Sequence, residues 1–164
     1  MRDDQGRRPD DDSSAPGLRR RRRWQVLTAI YWGALVAAMH VPIPDEQHGG
    51  PKLPPNTDKT VHYVLYGGLA LLLCRTSDEA TESGRSRSRF PYSYGAAFVA
   101  CLVYGVVDEL TQPWTGRRCE PADWYADVGG ATLGVGLAAA WRSLRRARAA
   151  ESDADRASLS ADVR

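Results

Sequence analysis

Four apolar runs separated by charged segments are the feature that most limits what this chain can fold into. The runs cover residues 24–41, 61–74, 92–107 and 124–141. Each run is apolar on all sides, whereas the helices of a soluble four-helix bundle would need polar outer faces. Taken alone, the second and third runs are short enough to be buried helices of a soluble protein. Together, the four runs predict an all-α fold, an integral membrane bundle of four transmembrane helices.

Arginine is distributed unequally between alternate segments around these runs. The rich segments carry Arg19 to Arg23, then Arg75, Arg85, Arg87 and Arg89, then Arg142, Arg145, Arg146 and Arg148. The other two connections carry only Lys52 and Lys59, and Arg117 and Arg118. Since cytoplasmic loops are enriched in Lys and Arg, this alternation predicts that the N and C termini are cytoplasmic. The expected spans are at about 24–41, 59–75, 92–111 and 124–141, with the lipid bilayer as a partner.

Whole-chain composition hides this pattern. A mean hydropathy of -0.44 and 26% charged residues are typical of a soluble protein, but eight of the 22 Lys and Arg lie in residues 1–23 and six in residues 142–164. Residues 1–18 have almost nothing to bury and are predicted to be disordered. The expected membrane domain is 19–146, followed by a polar C-terminal tail at 147–164. A cleaved signal peptide is disfavoured because the first run is long and lacks a clean Ala-x-Ala site.

Small residues within the runs favour close helix contact in lipid. Gly130 and Gly134 form a GxxxG step, for which packing within the bundle is a better explanation than dimer formation. The three cysteines have no metal-ligand spacing, and their odd number argues against a disulfide framework. Cys74 and Cys101 are therefore interpreted as small apolar packing residues.

With both termini inside, polar residues from separate runs collect at the outer face. Asp58, Lys59 and His62 open the second span, Asp108, Glu109 and Gln112 close the third, and Arg117, Asp123 and Asp127 lie in or near the last outer loop. These nine residues are the predicted ligand-binding set of an outer polar cleft. Charged groups so close to lipid are expected to face the bundle interior and to be paired.

Carboxylates outnumber cations in this region. Asp58, Asp108, Glu109, Asp123 and Asp127 stand against Lys59, Arg117 and Arg118, with His62 as a further cation if it is protonated. Either one or more carboxylates hold a proton, or a bound cation fills the gap. The sequence leaves both alternatives open and assigns no metal or cofactor.

His62, Asp108 and Glu109 are the candidate catalytic residues. His62 lies four residues after Asp58, so an Asp–His pair could orient the imidazole for proton transfer. A structural hydrogen bond to the third span is an equal alternative. Two adjacent acids at the end of an apolar helix are expensive without a purpose. An ion pair with Arg117 would give Asp108 and Glu109 a structural purpose instead of a catalytic one.

Other polar residues have plainer explanations. Asp58 and Asp123 stand where helix caps or first-turn acids are expected, and Lys59 can extend its ammonium group to the membrane interface. His40 and His48, near or in the first outer loop, are interpreted as solvated residues.

Three short motifs occur in order along the second, third and fourth runs. They are DKTVHYVLY from Asp58, DELTQ from Asp108 with Gly116 and Arg117 after it, and DWYADVGG from Asp123. In these residues the chain resembles the VanZ-like family of small bacterial membrane proteins. The family patterns are D-K-x-x-H-x-x-x-Y, D-E-x-x-Q and D-x-x-x-[N/D]-x-x-G, and Asp127 stands where many relatives have Asn. The resemblance implies a multi-pass protein of the bacterial cytoplasmic (inner) membrane with a cell-envelope role, because the namesake is associated with resistance to the glycopeptide teicoplanin.

The resemblance and the outer position of the cleft predict binding of a lipid-linked or peptidoglycan-related ligand, or of a glycopeptide-type antibiotic. The alternative is a membrane-embedded hydrolase or transferase, acid/base or metal-assisted, that acts on a lipid-linked envelope substrate. In it Glu109 or Asp108 is the base or a metal ligand, and His62 is the acid or a ligand. Arg117 would then bind a phosphate or carboxylate. A proton path is disfavoured because the acids cluster at one face, and nucleic-acid binding has no fold to support it.

Overall fold

The structure, a computed structural model, describes residues 15–41, 54–82, 92–117 and 119–162. These residues form α1 (Ala15–His40), α2 (Thr57–Glu82), α3 (Tyr92–Thr111), a 3-10 helix (Gln112–Thr115) and α4 (Pro121–Asp162). The described residues contain helices and no strand, which confirms the predicted all-α class for them.

Three helix ends at one side of the bundle are set by local backbone chemistry. α2 follows Asn56, whose φ of 62° is a left-handed conformation that Asn adopts more readily than most residues. α3 gives way to the 3-10 helix at Pro113, and Gly116, with φ of 82°, closes that turn. α4 begins at Pro121, because proline lacks only an N–H that the first helical turn leaves unbonded. The polar motifs lie next to these ends.

Side-chain contacts show that α2 and α4 run parallel. His62 near the start of α2 lies 2.9 Å from Asp127 near the start of α4. Further along both helices, Asp78 of α2 lies 2.9 Å from Arg142 of α4. Two helices joined by α3 can run parallel only if α3 returns in the opposite direction.

α1 runs antiparallel to α2 and parallel to α3. Arg20 near the start of α1 lies 2.6 Å from Glu79 near the end of α2. At the other end of the bundle, His40 at the end of α1 lies 2.9 Å from Thr111 at the end of α3. The topology is therefore up-down-up-down. It brings the end of α1, the start of α2, the end of α3 and the start of α4 to one side.

Glycine permits close approach of α2 and α4. A Cβ atom added at Gly130 would overlap the carbonyl oxygen of Tyr63, and one added at Gly134 would overlap that of Gly67. Backbone cannot move aside as the end of a flexible side chain can. The GxxxG step packs within the bundle, as predicted.

The buried and exposed residues are distributed unlike those of a typical soluble domain. The core contains Leu35, Met39, Tyr66, Leu69, Cys74, Cys101 and Ala131, in keeping with the packing interpretation of the two cysteines. Large apolar side chains on every helix are exposed, among them Ile30, Val64, Val99, Val103, Leu110, Leu137 and Trp141. Among the described residues, one helical stretch, Tyr94–Thr115, is long and apolar enough to cross a membrane.

The helices extend beyond the predicted spans at both ends of the chain. α1 begins at Ala15, inside the segment predicted to be disordered, and residues 1–14 lie outside the described residues. α4 continues to Asp162, through most of the predicted polar tail. The α4 extension is rich in Arg and Ala, and the α1 extension contains the five arginines Arg19 to Arg23. Both residue types favour helix without tertiary contacts. His48 and Lys52 lie outside the described residues.

Candidate functional site

Six buried polar side chains meet where α2 and α4 begin and α3 ends. They are His62, Asp108, Glu109, Gln112, Asp123 and Asp127, each 5% exposed or less. We call these six residues the acidic cluster. Its members come from α2, from α3 with the adjoining 3-10 helix, and from α4, so the up-down-up-down topology assembles it.

His62 occupies the α2 side of the acidic cluster and is fully buried. Its Nδ1 lies 2.9 Å from Asp127 Oδ1. Since a carboxylate oxygen accepts hydrogen bonds, Nδ1–H is the donor, and the neutral ring carries its lone pair on Nε2. That Nε2 is 4.0 Å from Asp123 Oδ2 and has no hydrogen-bond partner among the described residues. Asp127 therefore orients an imidazole whose free nitrogen faces other acids.

Glu109 is held at the α3 side by two donors. Its Oε2 accepts a 2.9 Å hydrogen bond from the backbone N–H of Glu120, and its Oε1 accepts one of 3.3 Å from Gln112 Nε2. The same amide nitrogen donates to Asp108 Oδ2 at 3.3 Å. Gln112 follows the two acids by three and four positions, so one amide bridges both across a helical turn.

Two groups of donors in this region are close enough to hold a metal ion. In the first, one donor atom each from His62, Glu109 and Asp123 lie within 4.8 Å of one another, and all three residues are buried. The second consists of Asp58, Glu120 and Asp123 within the same limit, with Asp58 and Glu120 partly exposed.

Lys59 already supplies a cation to the second group. Its Nζ lies 3.2 Å from Asp58 Oδ2, 3.2 Å from Glu120 Oε2 and 3.3 Å from Asp123 Oδ1. The Asp123 contact is an ion pair without hydrogen-bond geometry, because Oδ1 has no hydrogen-bond partner. Slight burial by itself would raise the pKa of the Asp58 carboxyl group. Hydrogen bonds from Lys59 outweigh this effect and lower that pKa below its ordinary value. Lys59, Asp58 and Glu120 form a charged rim over the acidic cluster.

The end of α1 closes another side of the acidic cluster. Arg117 donates from Nη1 to the Met39 carbonyl oxygen at 2.8 Å. His40 Nδ1 lies 3.6 Å from Asp108 Oδ1, and its Nε2 lies 2.9 Å from Thr111 Oγ1. α1 is thereby tied both to the loop that precedes α4 and to the end of α3.

Aromatic rings separate the acidic cluster from the middle of the bundle. The rings of His62 and Tyr66 are nearly parallel with centroids 6.4 Å apart, and Tyr66 stacks on Tyr104 at 5.8 Å. Trp32 contacts Tyr104 edge-on at 5.2 Å. The Tyr66 hydroxyl is buried without a hydrogen-bond partner. The rings form an apolar floor beneath the acids.

The structure brings together eight of the nine residues predicted as the ligand-binding set, namely the six of the acidic cluster with Asp58 and Lys59 at the rim. Asp58 lies at the rim, bonded to Lys59, and Arg117 contacts the end of α1. The roles of all nine stay predictions. The inner six are too buried to form an open cleft, so the accessible part of the region is the rim.

Three contacts that the sequence left open as alternatives are not formed among the described residues. His62 pairs with Asp127 rather than Asp58, because the close α2–α4 contact places α4 against the ring. For the same reason its hydrogen bond reaches α4 and not α3. Arg117 bonds a backbone carbonyl, and no ion pair in the described part of the chain joins it to Asp108 or Glu109. Arg118 lies outside the described residues.

Sequence reasoning missed His40 and Glu120. His40 was expected to be solvated, but both its ring nitrogens contact protein groups. Its position at the end of the first apolar run was a signal that it would meet the end of α3, because the predicted alternation of direction makes α1 and α3 end at the same side. Glu120 stands one residue before α4, and its side chain and backbone contact Lys59 and Glu109 respectively. The rule that a rim lysine needs acidic partners could have found it.

A second set of buried charges at the opposite side of the bundle was also missed. Asp78 and Glu79 are 7% and 6% exposed. Arg142 Nη1 lies 2.9 Å from Asp78 Oδ1, Tyr94 donates to Asp78 Oδ2 at 2.9 Å, and Arg20 contacts both oxygens of Glu79 at 2.6 Å. We call these five residues the paired cluster. The sequence signal was two adjacent acids between arginine-rich segments.

A scan of protein-family models, a search of curated proteins and a search of solved structures each returned no match to this chain.

Proposed function

We propose that this chain is a VanZ-like, multi-pass protein of the bacterial cytoplasmic membrane that binds a cell-envelope ligand at its outer face. The ligand is lipid-linked or peptidoglycan-related, or a glycopeptide-type antibiotic. The observation that carries the proposal is the acidic cluster itself. Three helix ends deliver four buried carboxylates and a histidine to one place, beneath a rim of exposed charges.

The inside-out distribution of side chains supports membrane insertion. Buried charged side chains occur on three helices, while Val26, Leu27, Ile30, Val64, Val99, Val103, Val106, Leu110, Leu133 and Leu137 are exposed. A soluble protein rarely exposes large apolar patches, whereas exposed apolar side chains on every helix suit a surrounding of lipid. A single span made of Tyr94–Thr115 would leave the apolar outer faces of the other helices in water.

Depth supports the same proposal. Along α2, the acidic cluster at His62 and the paired cluster at Asp78 are 16 residues apart, or about 24 Å at 1.5 Å per residue. This separation is slightly less than the roughly 30 Å hydrocarbon thickness of a bilayer. Both sets of ionisable groups would lie near an interface, where charge is tolerated.

Topology can be tested with single cysteines. Cys119 is exposed beside the acidic cluster, whereas Cys74 and Cys101 are buried. In intact cells a membrane-impermeant maleimide should label Cys119. A matched variant with Cys119→Ala and Ala150→Cys carries its exposed thiol beyond the paired cluster, and it should be labelled only after permeabilisation. Equal labelling of both in intact cells would contradict the four-span orientation.

Ligand binding can be tested by capture from envelope extracts. Detergent-purified protein is mixed with total envelope lipids and precursors, and the retained molecules are identified by mass spectrometry. The native chain should retain a lipid-linked or peptidoglycan-related species that Glu109→Gln loses. Glu151→Gln, the same change at an exposed acid on α4, is the control and should retain it. Equal retention by both variants would contradict binding at this site.

A second candidate function is a membrane-embedded hydrolase or transferase on a lipid-linked envelope substrate. The Asp127–His62 hydrogen bond favours it, because a carboxylate that fixes an imidazole leaves Nε2 ready for proton transfer. Nε2 would take the proton of a water or hydroxyl nucleophile as its oxygen bonds to a phosphoryl or acyl centre. It would return that proton to the leaving oxygen as the old bond breaks. Turnover of the captured ligand that His62→Gln abolishes without loss of binding would distinguish this function.

A further inference from the structure

We propose that His62, Glu109 and Asp123 bind one divalent transition-metal ion, for which zinc is the best match. Each residue offers one donor atom, and these three atoms lie within 4.8 Å of one another. The inference rests on the same acidic cluster but gives His62 Nε2 a different role, because a nitrogen whose lone pair binds a metal cannot also accept a proton. A bound ion would therefore replace His62 as the group that activates the nucleophile in the second candidate function. Metal binding itself requires no envelope ligand.

The free nitrogen of His62 is the observation that points to a ligand. Nε2 is fully buried and has no hydrogen-bond partner in the described part of the chain. A buried ring nitrogen left without a partner is costly. Asp127 holds the opposite nitrogen at 2.9 Å, which keeps the lone pair on Nε2. A carboxylate bonded to the remote nitrogen is the usual support of a metal-binding histidine.

The two carboxylates are supported in a similar way. Glu109 accepts a hydrogen bond from the Glu120 backbone N–H and another from Gln112, so its orientation is fixed by the loop that leads into α4. Asp123 lies in the first turn of α4, and its Oδ2 faces His62 at 4.0 Å. Both oxygen donors are therefore fixed on the same side as Nε2.

The charge balance favours a cation at this position. Four carboxylates of the acidic cluster are buried, Asp108, Glu109, Asp123 and Asp127. Lys59 lies outside them at the rim, where it contacts Asp58, Glu120 and one oxygen of Asp123. Arg117 points to a backbone carbonyl. A divalent ion would offset the excess negative charge from within, whereas the rim group already has a cation in Lys59 and carries no such inference.

The donor set selects the class of metal. Imidazole nitrogen suits zinc and other late transition metals, while magnesium and calcium prefer oxygen ligands alone. One histidine and two carboxylates leave an open position, as catalytic zinc sites do. Zinc bonds of about 2.0–2.2 Å require the donor atoms to be closer together than 4.8 Å, so binding would draw the side chains of Glu109 and Asp123 inward.

The test measures zinc on the full chain in detergent. The protein is purified through a tag without histidine, stripped with a chelator and dialysed against zinc chloride. The expected result is one zinc per chain, held against extensive washing. Cobalt substituted for zinc should show the absorption of a low-coordinate site with a nitrogen ligand. Less than a tenth of a zinc per chain, or a cobalt spectrum of the hydrated ion, would overturn the proposal.

Near-isosteric variants assign the ligands. Loss of a residue that only supports a metal ligand weakens metal affinity by about 10-fold to 100-fold. Because Glu109 and Asp123 would bind the ion directly, Glu109→Gln and Asp123→Asn should weaken zinc affinity by about 100-fold or more. Asp127→Asn should weaken it by about 10-fold to 100-fold, since it affects only the support of His62. Glu151→Gln and Asp153→Asn, the same changes on the exposed part of α4, should have no effect. Equal losses in both groups would contradict the assignment.

The metal result and the proposed function can fail separately. Zinc binding by a chain that captures no envelope ligand supports this inference and contradicts the proposed function. Ligand capture by a chain that binds no zinc supports the proposed function and contradicts this inference.

Discussion

The acidic cluster and the paired cluster lie about 24 Å apart along α2. Both bury carboxylates, but they balance the negative charge in different ways. In the paired cluster each acid has an arginine, Asp78 with Arg142 and Glu79 with Arg20. In the acidic cluster four buried carboxylates share two histidines, His62 and His40, with one side-chain amide, one backbone N–H and a rim lysine. Buried charge is expensive at both sites, but only the paired cluster matches its charges.

The difference indicates different purposes. A carboxylate that is paired with an arginine needs no further cation. We therefore interpret the paired cluster as a structural clasp that joins α1, α2 and α4. The acidic cluster retains five buried side-chain atoms without hydrogen-bond partners among the described residues, including His62 Nε2, Asp127 Oδ2 and Gln112 Oε1. The paired cluster has one, Asp78 Oδ1, which still forms an ion pair with Arg142 at 2.9 Å. Such atoms are rare in proteins and need an explanation, which at the acidic cluster we propose to be a bound ligand. On that proposal, stability and binding belong to opposite sides of one bundle.

The largest expected effect is in the paired cluster. Arg142→Leu leaves Asp78 buried beside Tyr94 without its cation, and removal of one partner of a buried pair costs about 3 kcal/mol or more. The free energy of unfolding in detergent should fall by that amount. Arg148→Leu, at an exposed position on the same helix, is the control and should change it little. If the two variants were equally stable, the clasp interpretation would be wrong.

A smaller loss is expected at the glycine contact that lies between the two clusters. Gly130→Ala would place a Cβ against the Tyr63 carbonyl, and such overpacking costs about 1–3 kcal/mol. By contrast, Gly136 has open space around a Cβ, so Gly136→Ala should stabilise the helix by about 0.5–1 kcal/mol. Thermal unfolding of both variants checks the sign. A stabilising Gly130→Ala would disprove the close α2–α4 contact.

The acidic cluster should respond in the opposite sense to the paired cluster. In metal-free protein, Glu109→Gln removes one unmatched negative charge and keeps an oxygen acceptor for the Glu120 N–H. We expect the free energy of unfolding to rise by about 1 kcal/mol, as is common when strain at a functional site is removed. The measurement is the same unfolding assay, with Glu151→Gln as the control. A loss of stability as large as that of Arg142→Leu would show that the two clusters are alike.

The smallest effect is a pH shift at Cys119, which reports the unmatched charge directly. Partial desolvation and the carboxylates of Glu109 and Asp123 raise the pKa of this thiol. Because the thiolate is the reactive form, maleimide labelling should be slow at neutral pH and should accelerate only above the ordinary cysteine pKa of about 8.5.

The control is again a chain with Cys119→Ala and Ala150→Cys, measured in detergent over the same pH range. Its labelling should accelerate at lower pH than that of native Cys119. Glu109→Gln should move the Cys119 profile toward lower pH, because it removes one neighbouring negative charge. Identical profiles for all three proteins would mean that the thiol does not sense the acidic cluster.

Much of the fold could be predicted from the sequence. The apolar runs predict four helices, and the alternation of arginine-rich and arginine-poor connections predicts that successive helices run in opposite directions. Because a helix has a fixed rise per residue, the polar residues at its ends must then lie at one side of the bundle or the other. Alternating direction alone is enough to collect His62, Glu109 and Asp123 at one side. Helix ends were less predictable, since Ala15–Leu18 and the residues after Trp141 continue as helix beyond the predicted spans.

Individual contacts could not be predicted in this way. Spacing of four residues placed Asp58 on the same helix face as His62. A side chain on a neighbouring helix can nevertheless come closer to His62 than a residue one turn away on the same helix. The absence of side chains at Gly130 and Gly134 lets α4 approach α2, and Asp127 takes the ring nitrogen. Arg117 likewise bonds the end of α1, whose distance from the loop no sequence pattern records.

The sequence by itself determined that acids and a histidine are carried on apolar helices to a common side, because the apolar runs predict the helices and the alternation of arginine-rich segments predicts their direction. Only the tertiary structure decided which of those groups are matched. Pairing depends on distances of a few ångströms between different helices, and glycine contacts set those distances. The matched acids at Asp78 and Glu79 and the unmatched nitrogen of His62 became visible only there.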